Sequence, residues 1–146
     1  MSDFKKLRVW RKANALTLNV HRVAASIRGA QYAALRNQMV RAAMSVSANI
    51  VEGREQRTER EFARFLGYAL GSISELEHHL IVARDLRTIT DIDFSSTLAQ
   101  LIDVRKMLHG LLAKLSQMTT SASKRPVSSS LADSVERSAG SGQQRS

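Results

Sequence analysis

The sequence predicts an all-α protein: an antiparallel up-down-up-down four-helix bundle followed by a disordered C-terminal tail. Three observations predict it. Apolar residues recur at steps of three and four in four segments of similar length. The links between them are short and polar, which favours antiparallel neighbours. Nowhere before residue 118 is there sustained two-residue alternation or an Asn-Gly or Asp-Gly turn.

Helical spacing first runs from about Phe4 to Ile27, through Val9, Ala13, Leu16, Val20 and Val23. Asp3 is placed to cap its start and Gly29 to follow its end. The second segment, about Tyr32 to Val51, is striped by Leu35, Met39, Ala42, Val46 and Ile50, with Gly53 expected just past its C-terminus. Thr58-x-x-Glu61 forms a capping box opening the third, which runs to Leu86 through Phe62, Leu66, Ala69, Ile73, Leu76 and Leu80. The fourth starts near Asp91 to Phe94 behind a weaker cap, Thr90-x-x-Asp93. It continues through Leu98, Leu101, Leu108, Leu112 and Leu115.

Composition breaks near Met118. Residues 119–146 hold nine serines and the single proline, Pro126, with few large apolar residues. Such a stretch buries too little surface to offset its ordering entropy, so the expected organisation is a bundle over 1–118 and a disordered Ser-rich basic tail over 119–146. The tail carries Lys124, Arg125, Arg137 and Arg145 against Asp133 and Glu136, leaving 18 basic and 11 acidic residues before it.

The absence of cysteine excludes disulfide frameworks, thiolate zinc sites and thiol nucleophiles. No run approaches eighteen apolar residues, and Asp3, Lys5, Lys6 and Arg8 interrupt any secretory core, so a soluble cytoplasmic protein with no membrane partner is expected.

Beside the apolar stripes lie two polar lines. Gln38, Arg41, Ser45, Asn49 and Glu52 fall within an arc of about 80° on the second segment. Glu61, Tyr68, Ser72, Glu75 and His79 repeat the arrangement on the third. Pairing these segments through the 53–57 turn brings Asn49 toward Glu61, and Arg41 toward Tyr68 and Ser72. The result is either a hydrogen-bonded seam fixing register or a ligand or partner site.

Leu35-Arg36-Asn37-Gln38-Met39-Val40-Arg41-Ala42-Ala43-Met44-Ser45-Val46-Ser47-Ala48-Asn49-Ile50-Val51-Glu52-Gly53 resembles the signature of the four helix bundle protein family, also known as ribosomal RNA intervening-sequence proteins. Phe4-x-x-Leu7-x-Val9-Trp10-x-x-Ala13 is similar to that family's opening. Its third helix is matched by Glu61-Phe62-x-Arg64-Phe65-Leu66 and Ala69-x-Gly71-Ser72-x-x-Glu75-Leu76-Glu77. One departure is Ile27-Arg28-Gly29-Ala30-Gln31, where relatives often carry a proline followed by an acidic residue. The resemblance covers 4–117 and implies a small bacterial cytosolic protein assembling as a homo-oligomeric ring, with five copies expected. It further implies a fold similar to the accessory proteins of diversity-generating retroelements, which are basic and bind nucleic acid. Carried over to this chain, the family's polar positions are Gln38, Arg41, Ser45, Asn49, Glu52, Ser72 and Glu75.

The formal net charge is +9. Between Phe4 and Val51 stand nine basic residues and no acidic one. Arg8, Arg11, Lys12 and Arg22 project opposite the core stripe of the first segment, with Asn19 and Ser26. Such a face is either a solvated surface that keeps the protein soluble or a surface for phosphate neutralisation. Low aromatic content, 5%, disfavours base stacking and favours structured RNA or duplex backbone. Trp10, on a flank, is either an edge-of-core residue or an oligomer-interface anchor, and the resemblance favours the interface. Arg105 and His109 interrupt the fourth stripe as ion-paired edge positions or as contacts to a neighbour.

A bundle di-metal site needs two Glu-x-x-His elements, and only Glu75-x-x-His78 is present, so no metal or other cofactor is expected. There is no phosphate-binding glycine loop or nucleophile elbow, and neither Ser45 nor Ser72 has a histidine at a corresponding level. The expectation is a non-enzyme with no catalytic residues. Two functions remain: an oligomeric bundle binding RNA or DNA through Arg8, Arg11, Lys12 and Arg22, or a protein-interaction scaffold with no nucleic-acid role.

Overall fold

Four helices form along the chain, and their apolar stripes share one core. The computed structural model describes residues 3–123, with side-chain surroundings given through residue 118. A short 3-10 turn over Phe4–Lys6 precedes α1 (Arg8–Ser26), and another over Ala30–Tyr32 precedes α2 (Ala33–Arg54). Two helices complete the bundle, α3 (Glu59–Asp85) and α4 (Asp91–Ser123). No strand occurs among the described residues.

All six stripe residues of the first segment are buried, from Val9 to Ile27, as are the six of the third. Burying each large aliphatic side chain contributes roughly 1.5–3 kcal/mol, so these stripes carry most of the drive to fold. Residue pairs step in opposite order along neighbouring helices. Thr17 donates to the Ala43 carbonyl, while nearer the turn Arg36 donates to the Ile27 carbonyl. Ser72 meets Ser45, and nearer the next turn Phe62 and Phe65 approach Gly53. Arg105 pairs with Glu77, whereas Arg84 lies over Phe94. Asn19 and Arg22 reach Thr97 and Asp93.

Four local expectations are corrected. The first helical segment is broken at Leu7, whose extended backbone separates the 3-10 turn from α1. Asp3 therefore caps the turn, accepting from the Lys5 N–H at 3.0 Å, and does not cap α1. Gly53 lies inside α2, not past it; a Cβ there would stand 2.8 Å from the Phe65 Cβ and 2.9 Å from a Phe62 ring carbon. It is a packing glycine, and α2 runs on to Arg54. On α4 the core stripe is Phe94, Thr97, Leu101, Val104, Leu108 and Leu115, with Leu98 and Leu112 half-buried beside it. The helix α4 is described as far as Ser123, within the segment read as the tail. The rest of that tail, 124–146, lies outside the described residues.

Thr58 and Thr90 cap their helices, their hydroxyls accepting from the Glu61 and Asp93 N–H groups at 3.1 Å, while the Glu61 carboxylate of the expected capping box pairs with Arg64. Gly29 takes a φ of 109° in the first link, a conformation that side chains oppose.

Candidate nucleic-acid interface

The first turns of α1 carry a group of exposed cations. Arg8, Arg11 and Lys12 are exposed, and among the described residues none of them makes an ion pair or a side-chain hydrogen bond. Lys5 and Lys6, also exposed, stand in the turn just before. Because Leu7 supplies no side-chain cap and the first turn holds no acidic residue, the positive end of the helix dipole adds to the same field.

Arg22 does not belong to this free face. Its guanidinium donates to the Asn19 side-chain oxygen at 2.9 Å and to Asp93 of α4 at 3.1 Å. The expected continuous strip of four cations is therefore three at the start of α1, with the fourth neutralised further along. Asp93 stands 71 residues away in sequence, so no local charge pattern could reveal the pair. Asn19 extends the connection, donating to Thr97 at 2.9 Å and Gln100 at 2.8 Å. Thr97 had one signal in the sequence: it keeps step with Phe94 and Leu101 on the core face of α4. Arg36 is used locally, donating to the Ile27 and Gly29 carbonyls at 2.9 Å each.

The polar lines of α2 and α3 meet at one place. The Ser72 hydroxyl donates to the Ser45 hydroxyl oxygen at 2.9 Å, and the Asn49 amide donates to the Ser45 carbonyl at 2.8 Å and its hydroxyl at 3.2 Å. Ser72 is buried and the pair is satisfied. The wider seam does not form. Glu61 pairs with Arg64 on its own helix at 2.8 Å, not with Asn49. Arg41 is exposed and has no bond to Tyr68 or Ser72; Ser45 takes the place expected for it. Gln38 is half-buried, and Glu52 and Glu75 are exposed. Glu75 faces His79 at 3.4 Å.

Trp10 is half-buried, packs against the core and meets Phe4 edge-on at 5.2 Å. Arg105 is an ion-paired edge residue, held by Glu77 at 3.2 Å, whereas His109 is exposed. Among the described residues no three His, Asp or Glu side chains converge as a metal site. No described helix is long and apolar enough to cross a membrane.

Residues 5–110 match the family model of the 23S rRNA-intervening sequence protein. The chain belongs to that family. A crystal structure of a protein of unknown function from the S23 ribosomal protein family of Bacteroides thetaiotaomicron VPI-5482 is similar to this chain, with a TM-score of 0.67. The match covers 71% of this chain and 97% of that one at 21% identity, which speaks to the fold. No curated protein matches this family member. The signature residues 35–53 form most of α2, and among them Ser45 and Asn49 build the buried cluster with Ser72.

Proposed function

We propose that this protein is a non-enzymatic, homo-oligomeric RNA-binding bundle of the cytoplasm that holds structured RNA by its phosphate backbone. The observation that carries the reading is the set of three exposed cations, Arg8, Arg11 and Lys12, without a counter-charge at the uncapped start of α1. A chain that needed charge only for solubility would intersperse both signs there. Membership of a family named for an intervening sequence in 23S rRNA supports RNA as the polymer. Assembly as a ring, with five copies expected, would repeat the cations around one axis and multiply a weak contact by avidity. Leu18 and Met44, 65% and 56% exposed, support self-association, each one residue beyond the hydrogen-bonded pair Thr17 and Ala43.

The test is binding of a structured RNA fragment over a salt series. Affinity falls as salt rises, and replacing Arg8, Arg11 and Lys12 together by glutamine flattens the log–log slope by about 0.9 for each phosphate no longer neutralised. No binding at low salt, or binding indifferent to the triple change, overturns the reading in favour of a protein-interaction scaffold. A monomer mass by light scattering removes the ring.

A further inference from the structure

A second feature sits beside the basic cluster and has different chemistry. Leu7, Arg8 and Val9 at the start of α1 face Met107, Gly110, Leu111 and Lys114 of α4 across an open groove of about 400 Å³. That is within the range of small-molecule sites, roughly 300–1,000 Å³. Leu7, Val9, Met107 and Leu111 make its surface apolar, and Arg8 and Lys114 are its two charged residues. Neither cation has an ion-pair partner among the described residues, and no acidic residue lines the groove. Gly110 keeps the groove open: a Cβ built there meets nothing within 4 Å, so no packing inside the chain calls for glycine in mid-helix.

We propose that this groove binds a small amphipathic anion, an aliphatic or aromatic body ending in a carboxylate. The apolar body covers Leu7, Met107 and Leu111 while the carboxylate takes charge-assisted hydrogen bonds from Arg8 and Lys114. An RNA backbone would gain nothing from the apolar surface, so this site is separate in chemistry from the RNA face although Arg8 borders both.

Decanoate titrated into the full-length protein, with decanol and decyltrimethylammonium as matched controls, tests it by calorimetry. Decanoate saturates one site per chain, and both controls bind at least about fivefold more weakly, the scale of one net hydrogen bond. Gly110→Leu fills the groove and weakens decanoate about tenfold or more through reduced apolar burial, with its thermal midpoint kept because leucine is the better helix former. Lys114→Gln weakens it about fivefold, leaves the groove open and lies outside the RNA face, so it decides the matter if Gly110→Leu proves unstable. The proposal is overturned if decanoate shows no saturable binding, if decanol binds as tightly, or if a folded Gly110→Leu or Lys114→Gln variant binds decanoate like the parent. None of these results depends on RNA binding.

Discussion

The joint between α2 and α3 and the joint between α1 and α4 solve the same packing problem with opposite chemistry. At the first, Gly53 lets Phe62 and Phe65 approach the helix backbone, and two hydroxyls, Ser45 and Ser72, meet where one is buried. The second is held by longer polar groups, Asn19 with Thr97 and Gln100 and Arg22 with Asp93, and it leaves an open groove at Gly110. A glycine stands at each joint, filled by neighbours in one case and open in the other. The difference teaches where this bundle is constrained by its own core and where its surface is available for other work.

Gly53→Ala gives the largest effect. Its Cβ would fall 2.8 Å from the Phe65 Cβ, so the two helices must separate, and overpacking of this kind destabilises by about 1–3 kcal/mol. Chemical denaturation reads it as a lower midpoint with an unchanged slope. An unchanged midpoint would mean that the α2–α3 joint is not tight. Ser72→Ala comes next, at about 1 kcal/mol, because it leaves Ser45 with one partner fewer. The double change Ser45→Ala with Ser72→Ala recovers part of that loss, and a mutant cycle with no coupling would show the hydroxyl bond to be immaterial. Gly110→Ala has the opposite sign. With open space around its Cβ, it raises stability by up to about 1 kcal/mol through helix propensity alone. Destabilisation there would erase the contrast between the two glycines.

Much of this architecture was legible in the sequence. Every stripe residue read on α1 and α3 is buried, because one face of each helix is predominantly apolar along its length. Periodicity misread α4, where Thr97 and Val104 continue a stripe that Leu98 and Leu112 flank, since more leucines than the core needs occupy adjacent positions. Gly53 misled for a different reason: glycine signals a helix end when its φ is positive, but here it signals close approach by the Phe62 ring and the Phe65 Cβ of the next helix. Leu7 carries no breaking residue type, so the interruption before α1 had no local signal. At the candidate site, the sequence placed Ser45, Asn49 and Ser72 on the two polar lines but not with one another; the short side chains meet because few other partners lie within their reach. The long side chains were less legible. Arg41 and Glu61 were expected across the seam, yet their reach lets them choose solvent or a neighbour on the same helix.

Arg22 and Asp93 give the smallest effect, and theirs bears on the α1–α4 joint and on the proposed RNA face. The pair is bonded at 3.1 Å, but the Arg22 side chain is 61% exposed, so breaking the pair changes stability by less than about 1 kcal/mol. Its consequence for binding differs between the two partners. Asp93→Asn removes the negative charge that neutralises Arg22 and extends the basic face along α1 from Lys12. RNA affinity at about 0.1 M salt then rises by up to roughly eightfold, the value of one more neutralised phosphate. Arg22→Gln removes a cation already committed to Asp93 and leaves RNA affinity within about twofold. If the reverse order is measured, with Arg22→Gln costly and Asp93→Asn silent, the free end of α1 is not where phosphate is held, and the ion-paired end is.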